Sequence, residues 1–325
     1  MKEIKIKLNK IICLILLLII IVIFIYALIK PNNSKTKSTD KLSVVCTSFV
    51  GYDFVKAITN GSNNIEITYL LDSGVDAHNF EPTASQIISI GQSDLFVYNG
   101  GEMENWTEQV IPTMDLSNTK LVKLMDTVEL VEEEHVDGAE EEEHEKHEEL
   151  AWDEHVWTSP KNAIKILDSL ESALSEIDYE EKAIFKENAD NYKKQIEKLD
   201  EEIWNIVNSA KRKRLIFGDR MPMRYFLEEF GLNASGAFNG CSTETEPSTK
   251  TLTYLINLVK EENIPVVLYI ENGNSKVANI IAQETGVSAV QIQTLHSISN
   301  EDYKNGETYV TLMNRNLDVL KIALQ

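Results

Sequence analysis

The sequence predicts an α/β fold with largely parallel sheets, in which one long helix connects two regions of alternating strands and helices. Three observations lead to this prediction. Short β-branched runs alternate with helix-like stretches from Leu42 onward, the alternation stops between Pro160 and Arg214, and it then resumes. Six apolar runs are expected to form strands: LSVVCTSF, IEITYLL, LFVYNG, LIFG, PVVLYI and AVQIQ.

Local signals place helices between these strands. Thr83 is followed three residues later by Gln86, the pattern of a capping box, so a helix is expected to begin there and run through IISIG. Two further helices are expected over TLTYLINLVKEEN and SKVANIIAQETG, and Gly286 is expected to act as the C-cap of the second.

The middle of the chain carries no strand signal. Ser159 with Pro160 predicts a helix start, a break is expected near Asp178, and a second helix should run to about Ala210. In that second run apolar residues recur every three or four positions, which is typical of one amphipathic helix. A helix of roughly 30 residues would be about 45 Å long. An all-α third domain is the alternative, but two helices offer little from which to build it.

The N-terminal segment is expected to be a membrane anchor. Lysines precede an apolar run of 19 residues, Ile11 to Ile29. As a helix it would span roughly 28 Å, close to the core of a bilayer. A cleaved signal peptide is the alternative, although only Ala27 offers a cleavage site, and a lipoprotein would need a cysteine after the run, whereas Cys13 lies near its start. The remainder of the chain is then expected outside the cytoplasm.

The composition of the chain limits the range of possible functions. The chain has 325 residues, enough for two domains, and a formal net charge of −21. This charge argues against nucleic acid as a partner, because phosphate binding needs a basic face. An acidic balance suits a protein that handles cations, and it equally suits any soluble protein. The cysteines have no CxxC spacing, and a disulfide between Cys46 and Cys241 is left open.

Residues 129–154 form an acidic segment that contains His135, His144 and His147 among glutamates. With few residues that could pack, it is expected to be a disordered, solvated loop. Imidazoles and carboxylates attract cations, so accessory metal capture by these histidines is predicted, with a plain charged loop as the alternative. His144 and His147 are three residues apart, whereas the zincin motif HExxH needs a spacing of four on a helix.

Two other histidines occupy matching positions. His78, in GVDAHNFEPT, follows an expected strand and precedes the capped helix, and His155, in DEHVWTSP, also lies just before a helix start. Ligand groups in α/β folds lie outside the carboxyl ends of strands. Each histidine has a carboxylate within two residues that could orient its ring. The pair indicates a metal site, although a loop or capping role is the ordinary alternative for either residue.

These segments resemble the metal-specific substrate-binding proteins of ABC importers for zinc and manganese. GVDAHNFEPT, QSDLFVYNGGEMENW and DEHVWTSPKNA carry the resemblance, which covers about Leu42 to Leu324. Three later segments are similar to a zinc-binding subset from Firmicutes: LIFGDRMPMRYFLEEFGL, GCSTETEPSTKTLTYLINLVKEENIPVVLYIE and LHSISNEDYKNGETYVTLMNRNL. The resemblance implies two Rossmann-like α/β lobes joined by one long helix, with the metal in the cleft between the lobes.

The expected domain organisation follows from this resemblance and from the pattern of elements. The chain is divided into an anchor with a polar spacer over 1–41, a first lobe over 42–159, a helical linker over 160–214 and a second lobe over 215–325. A monomer is expected.

The resemblance also implies the ligands. His78 and His155 match ligand positions of the family, and His296 matches a position that is acidic in many members. Asp219 falls where zinc-binding members commonly have histidine, and it is the candidate fourth ligand, with Glu271 and water as alternatives. Three imidazoles with one carboxylate or water form an ordinary tetrahedral zinc site. Nitrogen donors favour zinc over manganese.

The predicted function is therefore capture of Zn²⁺ outside the cytoplasm and its delivery to an ABC-type permease, without enzymatic activity. Mn²⁺ is the alternative cargo. Two other classes are kept as alternatives. A zinc-dependent hydrolase would need an open coordination position and a general base near the metal. An adhesion or metal-buffering protein would bind metal through the acidic loop alone.

Overall fold

Two four-stranded parallel sheets form the framework of the protein. The computed structural model describes residues 41–71, 73–75, 77–133, 152–240 and 246–325. In this part of the chain the strands are β1 Leu42–Cys46, β2 Ile65–Tyr69, β3 Leu95–Tyr98, β4 Lys120–Lys123, β5 Arg214–Arg220, β6 Asn233–Phe238, β7 Val266–Ile270 and β8 Ser288–Ile292. The first sheet has the order β2-β1-β3-β4 and the second the order β6-β5-β7-β8. All of their pairings are parallel.

Helices cover these sheets and connect them. Those of the described residues are α1 Phe49–Ile58, α2 Ala84–Gly91, α3 Trp106–Val110, α4 Pro160–Ile177, α5 Lys182–Asn208, α6 Arg224–Phe230, α7 Thr249–Glu261, α8 Lys276–Thr285, α9 Asn300–Asn305 and α10 Tyr309–Ala323. We call the first sheet with α1–α3 the first lobe, and the second sheet with α6–α10 the second lobe. This arrangement confirms the predicted α/β class with two parallel-sheet lobes.

The six predicted strands are present, and the largest boundary error concerns the first of them. The run LSVVCTSF was expected to be a strand throughout, whereas β1 ends at Cys46. Ser48 accepts a hydrogen bond from the N–H of Gly51 and so begins α1. Two strands had no clear signal in the sequence. Strand β4, KLVK, has a lysine at each end, and β6, NASGAF, is rich in small residues of low strand propensity.

The predicted helix caps are confirmed. Thr83 and Gln86 form a reciprocal capping box at the start of α2. Ser159 accepts a hydrogen bond from the N–H of Asn162, and Pro160 occupies the first turn of α4. Gly286 ends α8 with a φ of +79°, in the left-handed region that glycine adopts without a steric penalty.

The long helix predicted in the middle of the chain is α5, with 27 residues. Its buried side chains recur every three or four positions, which gives it one continuous apolar face: Phe185, Ala189, Tyr192, Ile196, Leu199, Ile203 and Val207. This face packs against α1, α4 and α10, and thus against elements of both lobes. The Tyr192 hydroxyl donates to Asp53 of α1 at 2.5 Å.

Several predictions concern residues that lie outside the described ranges. They are the anchor over 11–29, the acidic-loop residues His135, His144 and His147, and the partner cysteine Cys241. Within the described ranges no helix combines the length and apolar character needed to cross a membrane.

Candidate metal site

Three histidines from distant parts of the chain meet in the structure. One nitrogen of each of His78, His155 and His296 lies within 4.8 Å of the corresponding nitrogens of the other two. The ring of His296 is the central one, with its centroid 4.7 Å from that of His78 and 5.3 Å from that of His155. His155 and His296 are buried and His78 is half-buried. This spacing suits one metal ion held by three imidazoles.

His78 lies in the loop between β2 and α2, within the short turn Ala77–Asn79. Its Nδ1 is 3.9 Å from the Oε1 of the buried Glu154. The loop is also tied to the second lobe, because the N–H of Gly74 donates to the carbonyl of Ile298 at 2.7 Å. Gly74 has a φ of +83°, which accounts for a glycine at this position. His78 is thus presented from the carboxyl end of a parallel strand, as predicted.

His155 is fixed by its neighbour Asp153. One carboxylate oxygen of Asp153 accepts from the backbone N–H of His155 at 2.9 Å and lies 3.2 Å from its Nδ1. The other ring nitrogen, Nε2, is buried and has no hydrogen-bond partner. A buried nitrogen of this kind fits a metal ligand, with the carboxylate holding the opposite side of the ring.

The same carboxylate controls the charge of His155. Burial lowers the pKa of this histidine. Asp153, with smaller contributions from Glu154 and Glu133, raises the pKa by more than burial lowers it, so the pKa of His155 lies above its ordinary value. His155 therefore loses its proton at a higher pH than an isolated histidine. Because a metal binds only the neutral imidazole, protons compete with the metal at this ligand.

His296 belongs to the loop that follows β8. The buried carboxylate of Glu271 accepts from the N–H of Thr294 at 2.7 Å, from the Thr294 hydroxyl at 2.8 Å and from the N–H of His296 at 3.0 Å. Between these residues Leu295 has a φ of +61°, which a branched side chain rarely adopts. The loop is further held by the indole N–H of Trp157, which donates to the Thr294 carbonyl at 2.8 Å.

The electrostatic surroundings of His296 differ from those of His155. Burial, together with the nearby His155, His78 and Arg220, holds the pKa of His296 well below its ordinary value. The ring is therefore neutral near pH 7, the form that binds a metal.

The carboxylates proposed as a fourth ligand have other partners. Asp219, at the end of β5, accepts from the N–H of Arg220 at 2.8 Å and from the N–H of Ile270 at 3.2 Å. Glu271 holds the His296 loop. Among the residues that the structure describes, the histidine, cysteine and carboxylate side chains that could share one ion are the three histidines alone. The structure therefore does not bring Asp219 into the group, and its role as a ligand stays a prediction.

Sequence reasoning missed Met103, and it considered Glu154 only as a neighbour of His155, whereas the structure places Glu154 beside His78. Met103 lies in the turn Glu102–Glu104 after β3, and its Sδ is 3.1 Å from the Nε2 of His296. Gly100 and Gly101 both have positive φ, and a Cβ at Gly101 would collide with the Oε2 of Glu154. The signal was available, since this turn follows a parallel strand just as the His78 loop does.

The fold and the three-histidine group define a class: two-lobed α/β proteins that hold a metal ion between parallel-sheet domains. Within this class the chain belongs to the ZnuA family, described as zinc-uptake complex component A, periplasmic. The family model matches residues 44–323.

Individual relatives agree with this assignment. The chain is 32% identical over 297 residues to the zinc-binding lipoprotein AdcA of Streptococcus pneumoniae, which covers 90% of this chain and 58% of that protein. The chain thus spans little more than half the length of this relative. It is also 32% identical over 303 residues to the high-affinity zinc uptake system protein ZnuA of Bacillus subtilis, covering 90% of this chain and 92% of that protein.

A solved structure shows the same architecture. The Zn(II)-bound ZnuA-like domain of Streptococcus pneumoniae AdcA is similar with a TM-score of 0.72 and 28% sequence identity, over 87% of this chain and 99% of that one.

Proposed function

We propose that this protein binds Zn²⁺ outside the cytoplasm and delivers it to the permease of an ABC importer. The observation that carries the proposal is the group of His78, His155 and His296, whose nitrogens lie within 4.8 Å of one another. The names of the relatives in Streptococcus pneumoniae and Bacillus subtilis, a zinc-binding lipoprotein and a zinc uptake protein, support zinc as the cargo.

The donor chemistry also favours zinc. Three imidazole nitrogens suit Zn²⁺, whereas Mn²⁺ prefers oxygen ligands. The described carboxylates around the group already have hydrogen-bond partners: Asp153 with His155, Glu154 with the N–H of Met103, and Glu271 and Asp219 with backbone N–H groups. Because Asp219 already accepts from the N–H groups of Arg220 and Ile270, water competes with it for the fourth position.

The proposed activity is binding and release without covalent chemistry. A zinc hydrolase needs a general base beside an open coordination position. The carboxylates around this group instead orient ligands or hold loops, which supports a binding protein. We further propose that the segment over 11–29 tethers the protein to the membrane, that the two lobes face the extracytoplasmic side, and that the protein acts as a monomer on its permease.

Competition titration of the purified full chain against a zinc chelator tests this function. His78→Ala, His155→Ala and His296→Ala should each weaken zinc binding by about tenfold or more, the loss of at least roughly 1.4 kcal/mol of binding free energy. His135→Ala, in the acidic loop, serves as the control and should leave the affinity unchanged. Micromolar or weaker zinc affinity that none of the three site variants alters would refute the proposal. The same titration with Mn²⁺ decides the cargo.

The alternative that the acidic loop alone binds metal has its own test. Removal of residues 134–149 spares the bridge between Glu132 and Trp152 that flanks the loop. If the loop only collects metal, zinc affinity should change by less than about threefold, or roughly 0.65 kcal/mol. Loss of tight binding with the loop would instead favour the buffering or adhesion class.

A further inference from the structure

A thioether lies beside the three-histidine group. Met103 is buried, with 3% of its side chain exposed, and its Sδ is 3.1 Å from the Nε2 of His296. The two residues come from different lobes, because Met103 follows β3 and His296 follows β8. The sulfur therefore stands next to a ring nitrogen of the histidine that is central in the group.

The turn that carries Met103 is fixed from two sides. The N–H of Met103 donates to the Oε2 of Glu154 at 2.8 Å, and the other oxygen of Glu154 is 3.9 Å from the Nδ1 of His78. The buried Glu104 accepts from the N–H groups of Asn99 at 2.7 Å and Gly100 at 2.9 Å. Two carboxylates thus hold the sulfur in position before any metal binds, which lowers the cost of organising a donor.

The donor set has a chemical consequence. Thioether sulfur is a soft, neutral ligand that selects Cu(I), whereas zinc sites in proteins use imidazole, thiolate and carboxylate. In the described part of the chain the donors of the group are three imidazoles and this thioether, and none of them carries a negative charge when it binds. A neutral, partly soft set suits a monovalent soft cation, since less positive charge is transferred into a buried site.

We propose that Met103 is a fourth donor for monovalent copper, so that the histidine group accepts Cu(I) in addition to Zn²⁺, with Met103 setting the affinity for copper relative to zinc. The inference rests on the proposed function, because it takes the three histidines to be metal ligands. It goes beyond that function by adding a second ion and a residue that distinguishes the two.

The experiment compares Met103→Leu with the unsubstituted chain under anaerobic conditions. Leucine has a similar size and lacks the sulfur. Met125→Leu is the matched control, because Met125 is a buried methionine of the same lobe, in the turn Leu124–Thr127. All three proteins carry Cys13→Ser and Cys241→Ser to remove competing thiols, while Cys46 is buried in β1. Affinities are measured against a Cu(I)-specific chelator and, separately, against a zinc chelator.

Met103→Leu should weaken Cu(I) binding about tenfold or more and change zinc binding by less than about threefold, and Met125→Leu should change neither. X-ray absorption at the copper edge should show a sulfur neighbour in the parent protein that is absent in Met103→Leu. An unchanged Cu(I) affinity, or equal losses for both metals, overturns the proposal. A parent protein that binds zinc but not Cu(I) overturns it while leaving the proposed function intact, and one that binds neither metal refutes the proposed function itself.

Discussion

The two lobes share a sheet but differ in how they hold the metal ligands. In each, the first strand lies between the second and the third, and the fourth is at the edge. In each, a buried glutamate follows the third strand, Glu104 after β3 and Glu271 after β7, and burial raises the pKa of both to about 7. Glu104 is bonded to the turn beside the site, whereas Glu271 is bonded to the backbone of a ligand itself.

The two lobes also differ in how carboxylates contact the imidazole rings of the ligands. Before the connecting helices, His155 and His78 each have a carboxylate near Nδ1, from Asp153 at 3.2 Å and from Glu154 at 3.9 Å. After the connecting helices, the carboxylate of Glu271 accepts a hydrogen bond from the backbone N–H of His296. The first lobe therefore places carboxylates beside the rings of its ligands, and the second uses its carboxylate to fix the backbone of its ligand. The following predictions test this division of roles.

The largest effect is expected from His296→Ala. His296 is the only described donor of the group from the second lobe, and its ring lies between the other two. We expect its loss to weaken zinc binding about a hundredfold or more, roughly 2.7 kcal/mol, as measured by chelator competition. His78→Ala should have a smaller effect, because His155 still contributes a ligand from the same side of the cleft, whereas His296→Ala removes the described ligand of the second lobe. Equal losses for the two variants would contradict a central role for His296.

The next largest effect on zinc affinity distinguishes the roles of the two buried glutamates, Glu271 and Glu104. In Glu271→Gln one of the two oxygens becomes an amide nitrogen, which cannot accept from the N–H of Thr294 and His296 as both oxygens now do. Zinc affinity should fall by about ten- to hundredfold, the usual effect of losing a residue that orients a ligand. Glu104→Gln is the control: both of its backbone bonds go to one oxygen, so an amide can keep them.

Glu104→Gln should therefore change zinc affinity by less than about threefold. The second readout is Trp157 fluorescence in folded proteins that carry Trp106→Phe, Trp152→Phe and Trp204→Phe, since the indole N–H of Trp157 holds the same loop through Thr294. Glu271→Gln should alter this fluorescence and Glu104→Gln should not. If both variants lose affinity to the same extent, the two carboxylates have the same role and the comparison fails.

A smaller effect is expected from Asp153→Asn, which should change the pH dependence of zinc binding. Burial lowers the pKa of His155, but Asp153 together with Glu154 and Glu133 outweighs burial and holds the pKa above its ordinary value. Zinc binding is lost as the pH falls through that pKa, since the protonated ring cannot coordinate. Without the charge of Asp153, burial dominates and the pKa of His155 falls. The pH at which zinc binding is half lost should then move down, as titration across the acidic range would show.

The exposed Asp126 provides a matched control, and Asp126→Asn should leave the pH profile unchanged. A profile of Asp153→Asn that stays in place, or that moves to higher pH, would contradict the assignment of His155 as a ligand at which protons compete with zinc.

These comparisons also show what the sequence can predict. His78 and His155 were identified because each follows or precedes a recognisable element and has an acidic neighbour in sequence. The orienting partner of His296, in contrast, is Glu271, and 23 positions separate Glu271 from the Thr294 that it also holds. A contact between the ends of two neighbouring parallel strands leaves no local pattern. The same reason hides Met103, whose nearest ligand is 193 positions away.

The fold was easier to predict than the site, because strands, caps and the amphipathic face of α5 depend on residues close in sequence. Strand β4 was missed because two of its four residues are lysines, and its pairing with β3 at the edge of the sheet outweighs that composition. The hydrogen bond that Asp219 accepts from the N–H of Ile270 was not predictable either, because the packing of β5 against β7 brings these two residues together.

The smallest effect concerns Glu104 in the absence of metal. Its pKa is raised from 4.5 to about 7 in the folded protein, so the folded state binds this proton more tightly than the unfolded chain. The stability it contributes is complete below pH 4.5 and is lost as the pH rises through about 7. Over that window the loss is on the order of 3 kcal/mol. Glu104→Gln replaces the titrating carboxyl group with an amide, so the stability of this variant should fall less as the pH rises over the same range.

Urea denaturation of both proteins with a chelator present, at several values between pH 4.5 and 7, measures this difference. Some slope should remain in Glu104→Gln, because the pKa of Glu271 is raised to about 7 and that of Asp53 to about 6. Since Glu104 holds the turn without touching a histidine, flattening this pH dependence should leave zinc affinity intact. Parallel stability curves would show that Glu104 does not cause this pH dependence. A loss of zinc binding that accompanies the flatter curve would show that the first lobe fixes its ligands as the second lobe does.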